Sequence, residues 1–282
     1  MQSNNPVFAR SEGFQARGPV GYGDPSTWGT GAPGDGLSPE GYGAGPVQTA
    51  ERMTIDSVVQ KTALTIGITI VSAMLTWFWI GDISEAAVSK LMMASAVGAG
   101  LAFVLSMVNS FKRVISPALV IAFAAAEGVA LGAISAFFNA QYPGIVMQAV
   151  LGTFAAFAGT LAAYKFFDIK VSGKFKMFVV AAMFGMVGLG LLEMVLNMFG
   201  NGMGLFETAN ADGSFPWMGL LFSAAGLLLG VFMLIMDFDF VEQGIANGLE
   251  ARESWRAAFA MTVSLVWIYT NLLRLLAIFS ND

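Results

Sequence analysis

The sequence predicts an all-α integral membrane protein with seven transmembrane helices, and three observations carry that prediction. Only 12% of the 282 residues are charged and 56% are hydrophobic, with a mean hydropathy of +0.69. A soluble domain carries roughly 25% charged residues, so half that share points to lipid as the main solvent. After Lys61 the chain divides into seven apolar runs, and its basic residues fall almost wholly on one side of them.

The runs are 62–80, 91–108, 117–138, 144–164, 177–199, 216–236 and 257–279. Each has about 18–23 residues, enough to cross a ~30 Å hydrocarbon core as a helix. Pro117, Pro143 and Pro216 each stand at or just before the start of a run, where a missing N–H costs nothing. With the N-terminus in the cytoplasm, twelve basic residues lie on the inner side: Arg10, Arg17, Arg52, Lys61, Lys112, Arg113, Lys165, Lys170, Lys174, Lys176, Arg252 and Arg256. Lys90 alone lies outside, and Arg274 sits within the last span, placed to snorkel. This asymmetry predicts the N-terminus inside and the C-terminus outside. An odd number of spans argues against a duplicated transporter with two equal halves.

Two domains are expected. Residues 1–50 hold 11 of the 33 glycines and 6 of the 9 prolines. Such a stretch cannot bury enough surface to offset its chain entropy, so it reads as a disordered cytoplasmic tail. It has neither the pattern of a signal peptide nor that of a transit peptide. Its scattered aromatics (Phe8, Phe14, Tyr22, Trp28, Tyr42) suit either an idle tail or docking points for membrane-protein partners. Residues 51–282 form the membrane domain.

With no cysteine and no histidine, the chain lacks Cys/His zinc sites and every Ser-His or Cys-His catalytic arrangement. No lysine lies inside an apolar run to act as a base or to carry a retinal Schiff base. The expectation is no enzyme, no cofactor and no nucleic-acid partner. Small and polar stripes mark packing faces: Thr62, Thr65, Thr69, Ser72 and Thr76 in the first span, Ala155, Gly159 and Ala163 in the fourth, and Gly219, Ser223, Gly226 and Gly230 in the sixth. The threonine stripe reads as back-bonded packing or as the wall of a water-filled path.

An ionisable group in a span is a functional candidate, because leaving it charged there costs at least a few kcal/mol. Glu127 falls near the midplane of the third span, as a hydrogen-bonded acid or as a conduction or sensing group. Glu193 lies toward the outer side of the fifth, facing a crevice or packed as a neutral residue. Asp237 and Asp239 are expected to close the inner end of the sixth span on different helix faces. Two acids there oppose the helix macrodipole and need compensation, for which Lys112 and Arg113 in the preceding inner loop are the nearest candidates.

The motifs Asn109-Ser110-Phe111-Lys112 with Ser116-Pro117, Glu127-Gly128 with Gly132 and Ser135, Asp237-Phe238-Asp239-Phe240-Val241-Glu242-Gln243-Gly244, Trp267-Ile268-Tyr269 and Leu272-Leu273-Arg274-Leu275-Leu276 stand in order along the spans. From about residue 50 to 280 the chain resembles a bacterial, actinobacterial-type member of the Bax inhibitor-1 (transmembrane Bax inhibitor motif) family. The resemblance implies six helices around a central seventh, a multi-pass location in the bacterial inner membrane, and a pH-sensitive calcium leak. It also implies two aspartates, on the sixth and seventh helices, that share a proton near the cytoplasmic mouth, with an arginine on the second helix. Asp237 matches the first aspartate. Aligned on Leu272-Leu273-Arg274, Ser264 stands at the position of the second, and the second span holds no arginine.

The function expected is therefore a cation leak, with calcium as the cation, gated by protonation of Asp237. Asp239 and Ser264 stand beside it, Glu127 serves as a relay or second cation contact, and Asp237 is the candidate metal contact. The alternative is a non-conducting membrane regulator that binds other membrane proteins through the tail.

Overall fold

A computed structural model describes residues 51–82, 84–210 and 214–280. The expected tail, residues 1–50, lies outside the described residues. Seven helices follow in order: α1 Ile55–Ile80, α2 Glu85–Phe111, α3 Pro117–Gln141, α4 Ile145–Phe166, α5 Gly173–Met198, α6 Trp217–Ala246 and, after a 3₁₀ turn at Ala251–Glu253, α7 Ser254–Phe279. All seven are long and apolar enough to cross a membrane. Lipid offers no partners to backbone N–H and C=O groups, and the helix satisfies them within one segment.

The helices outrun the apolar stretches that announce them. α1 starts at Ile55, seven residues before Thr62, because Thr54 and Ser57 form a reciprocal capping box. Ser172 likewise caps α5 by accepting from the Phe175 N–H at 3.2 Å. Pro117 takes the first turn of α3, and Gly81 ends α1 at φ 71°. The largest difference lies in α6, which continues ten residues past Met236 to Ala246, about 15 Å at helical rise. Asp237 and Asp239 thus lie inside a helix and do not close it. The macrodipole argument against two acids at a helix end does not apply to them. A hydropathy run stops at the first charge, whereas helical hydrogen bonding does not.

Close approach of backbones sets the packing. A β-carbon at Gly128 of α3 would fall on the Thr69 carbonyl oxygen of α1 and 2.6 Å from Ser72 Cβ, and one at Gly132 on the Ala73 carbonyl oxygen. Gly98 of α2 meets the Ala130 backbone nitrogen of α3 at 2.6 Å by the same measure. On the other side, Gly226 and Gly230 of α6 lie against Asn271 and Ile268 of α7. Trp267 Nε1 donates to the Gly226 carbonyl at 2.8 Å. The small stripe of α4 packs nothing of this kind: Ala155 and Gly159 are exposed, and open space surrounds the place of a Gly159 β-carbon.

The threonine stripe of α1 is a packing device. Thr65 shares a 2.9 Å hydrogen bond with Thr262 of α7, Thr69 donates to the Ala124 carbonyl of α3 at 3.1 Å, and Ser72 donates to Ala125 at 2.7 Å. Helix α7 packs on α1, α3, α4 and α6, while α2 joins the bundle chiefly through α3 and α5 chiefly through α6. The segment before α1 pairs with the α6–α7 connection, where the Met53 N–H donates to Leu249 at 2.7 Å and the Ala251 N–H to Glu51 at 2.6 Å.

Gly128→Ala is expected to destabilise the bundle by about 1–3 kcal/mol through overpacking against α1. Gly67→Ala, where nothing lies within 4 Å, should be neutral or stabilising by up to about 1 kcal/mol. Thermal unfolding of the two variants in detergent measures the contrast.

Candidate intramembrane acid site

Asp237 lies on α6, one turn after the fully buried Leu234 and beside buried Phe238. Its side chain is half-buried and faces α7, where Ser264 Oγ donates to Asp237 Oδ2 at 2.6 Å. Ser264 is itself fully buried. The residue that replaces a second carboxylate is therefore the hydrogen-bond partner of the first. A hydroxyl both donates and accepts, so it can pair with the carboxylate or with the carboxylic acid.

Asp239, two residues on, faces another way. It is buried at 6% exposure and pairs with Lys176 Nζ of α5 at 2.7 Å. Gln243 Nε2 donates to the same oxygen at 2.8 Å. Asp239 thus clamps α5 to α6 and takes no part beside Asp237. Neither Lys112 nor Arg113 is the compensating charge. Both side chains are exposed, and the recorded contact of Arg113 is its carbonyl, which accepts from Arg256 at 2.8 Å. Asp239 finds its compensating charge on α5, and Asp237 its partner on α7. One turn further, Tyr164 of α4 donates to Glu242 at 2.5 Å.

Glu127 is half-buried, and no hydrogen-bond or ion-pair partner is recorded for it. The edge-to-face contact of Phe123 with Phe259, 4.9 Å between centroids, sets the register of α3 on α7. Both helices run in the same direction, so one turn on, Glu127 stands level with Val263, next to Ser264. At this level α7 is only partly covered. Arg256, Ala260, Val263, Trp267, Thr270 and Arg274 recur at steps of three or four and are all part-exposed, although α7 is among the most buried helices. The stripe lies between α3 and α6, which do not pack closely on each other. Two carboxyl groups, from α3 and α6, thus reach the same level of α7 beside an open strip.

The far end of the bundle corrects two expectations. Glu193 faces no crevice: it is 1% exposed and accepts from the N–H groups of Met203, Gly204 and Leu205 at 2.8, 2.9 and 3.1 Å and from Asn197 at 3.3 Å. Four donors also exclude a role as neutral filler, because a carboxylate is the acceptor-only form that matches them. Its task is to fold the α5–α6 loop back onto the bundle. Arg274 does not snorkel. Its guanidinium lies over the ring of Phe206 in that loop, 4.9 Å from the centroid, and 5.9 Å from that of Phe222.

Among the described residues no three Asp or Glu side chains gather as metal ligands. Bound calcium takes six to eight oxygens, more than Asp237 and one hydroxyl supply. A second cavity, about 220 Å³ between α1 and α4, has an apolar lining that includes Ile70, Met74, Trp77 and Phe154. Its polar groups are partnered: Ser135 with Tyr269 at 2.7 Å, Thr262 with Thr65 at 2.9 Å, and Thr69 and Thr153 with the carbonyls of Ala124 and Ala149 at 3.1 and 2.7 Å.

Fold and site define a seven-helix membrane protein with an intramembrane carboxylate locked to its last helix. The chain belongs to the Bax inhibitor 1 like family, whose model matches residues 5–281. The match begins well before residue 50, where the recognisable motifs start. A search of curated proteins finds no match.

Lys176→Met should cost about 1–3 kcal/mol by stranding the buried Asp239 carboxylate. Adding Asp239→Leu should recover most of that loss in thermal unfolding. Glu193→Ala leaves three loop N–H groups without their acceptor, and hydrogen exchange at residues 203–205 should accelerate at least tenfold while the helices stay protected.

Proposed function

We propose that the chain is a pH-sensitive cation leak, with calcium as its cation, gated at Asp237 and with no enzymatic activity. The observation that carries this reading is the 2.6 Å hydrogen bond from Ser264 to Asp237 beside the partly covered strip of α7. An ionisable group in a span needs a partner or water. Asp237 has one hydroxyl and Glu127 none recorded, and both stand beside the same strip. Water in that strip would solvate both carboxyl groups and give a cation its path.

The serine partner determines the sign of the pH response. Because the hydroxyl pairs with either form of Asp237, protonation leaves the α6–α7 link in place and removes the negative charge beside the path. A unit charge about 6 Å from a cation is worth roughly 3 kcal/mol at an effective dielectric near 20. Cation occupancy, and with it the leak, therefore falls as pH falls. Placing the basic end in the cytoplasm follows the positive-inside rule. It puts Asp237 in the inner half of the span, in the bacterial inner membrane that the family resemblance implies.

One observation favours a second reading, a non-conducting regulator of other membrane proteins. The same strip of α7, left open by α3 and α6, offers a seat for a partner helix.

Calcium uptake into proteoliposomes from about pH 5 to about pH 8 separates the two. The leak predicts uptake that drops at least tenfold toward low pH in the wild type and a flat, low profile in Asp237→Asn. Uptake equal to that of empty liposomes at every pH, from folded protein, supports the regulator.

A further inference from the structure

The α4–α5 turn carries a feature that the leak does not use. Lys165, Lys170, Lys174 and Lys176 fall within twelve residues that contain one acid, Asp168. Lys176 is committed to Asp239. Lys170 touches Asp168 at 3.5 Å with both side chains more than 80% exposed, a pair worth little in water. Lys165 and Lys174 are exposed and have no recorded partner. Apolar side chains with nothing over them flank these lysines: Phe166 and Phe167, at the end of α4 just after Lys165, at 84% and 79% exposed, and Met177 and Phe178, a turn deeper in α5 than Lys174, at 72% and 59%.

In a membrane helix such a collar faces acyl chains. At 1.5 Å per residue, Lys174 stands about 4–5 Å beyond Met177, at the level of the headgroups. We propose that the α4–α5 turn is a binding site for the phosphate of anionic phospholipids, held by Lys165, Lys170 and Lys174, with Met177 and Phe178 against the acyl chains and Phe166 and Phe167 at the boundary with the headgroups. Charge complementarity selects this occupant. Three ammonium groups with one weakly engaged acid leave an excess of positive charge, and each lysine near an anionic bilayer surface adds to the attraction. A zwitterionic headgroup offers the same collar contacts without that gain. The site does not include Asp237 and does not depend on the leak.

The test uses the full chain in detergent, equilibrated with an equimolar mixture of phosphatidylglycerol and phosphatidylcholine, with retained lipid counted by native mass spectrometry. The wild type is expected to retain phosphatidylglycerol at least fivefold over phosphatidylcholine. Lys165→Gln/Lys170→Gln/Lys174→Gln should bring the ratio near one, while the all-arginine triple variant and Lys90→Gln, at the other end of the bundle, should keep it. Gel filtration and unfolding temperature confirm that the triple variant is folded, and the arginine variant carries the same test should the glutamine variant fail to fold. A wild-type ratio near one, or an unchanged ratio in the folded glutamine variant, overturns the proposal. Loss of retained lipid on adding millimolar inorganic phosphate at constant ionic strength would also overturn it, by making the site one for a free anion.

Discussion

Hydrocarbon supplies no hydrogen-bond partners, so a polar group inside these spans that finds none in the bundle carries a cost. That constraint governs the molecule from its hydroxyls to its acids. The α1 threonines bond to carbonyls and to Thr262, Trp267 bonds to Gly226, and Ser135 to Tyr269. The acids sort by how fully they are partnered. Glu193 has four donors and Asp239 an ammonium and an amide, and both are structural. Asp237 has one hydroxyl and Glu127 no recorded partner, and these two flank the partly covered strip of α7. Incomplete satisfaction, in a setting that penalises it, distinguishes the functional candidates from the clamps.

The glycine contacts explain why the strip stays open. Gly128 and Gly132 draw α3 onto α1, Gly98 draws α2 onto α3, and Gly226 and Gly230 draw α6 onto α7. Helix α3 is committed to α1 and α2, and α5 is tied to α6 by the Lys176–Asp239 pair and the Glu193 loop. Nothing of comparable closeness draws α3 toward α6. The bundle therefore has two well-packed parts that meet on α7 and a seam between them. Ser264 places its hydroxyl beside that seam.

The seven spans were legible because lipid imposes a length and a composition that a sequence cannot disguise. The pairing of Asp237 with Ser264 is visible only through the family resemblance, since nothing in the 26 intervening residues sets the register of α6 on α7. The ends of helices were not legible from hydropathy. The extra turns of α6 set Asp237, Asp239, Glu242 and Gln243 among apolar residues, which breaks the hydropathy run without breaking the helix, so hydropathy points to the α2–α3 loop for a partner of Asp239 and not to α5. Lys176 had one available signal: counted from the Ser172 cap, it lies a turn inside a helix, a place for a pairing lysine more than a loop lysine. The nest around Glu193 is made of backbone N–H groups, which every sequence has and none advertises. The outward face of the Ala155–Gly159–Ala163 stripe shows that small residues permit close packing without requiring it.

The central claim is that the charge on Asp237 sets cation occupancy in the seam between α3 and α6 without moving its walls. The chain has no cysteine, so a single engineered pair reports without interference. Spin labels at Ala118→Cys on α3 and Ala246→Cys on α6, both exposed positions near the basic end, give the separation of the two walls by pulsed dipolar spectroscopy in nanodiscs. The account predicts the same distance distribution at about pH 5 and about pH 8, in the wild-type background and with Asp237→Asn, because protonation removes a charge and leaves the α6–α7 link in place. A pH-dependent shift that Asp237→Asn abolishes would contradict it, by making the gate a movement of the walls.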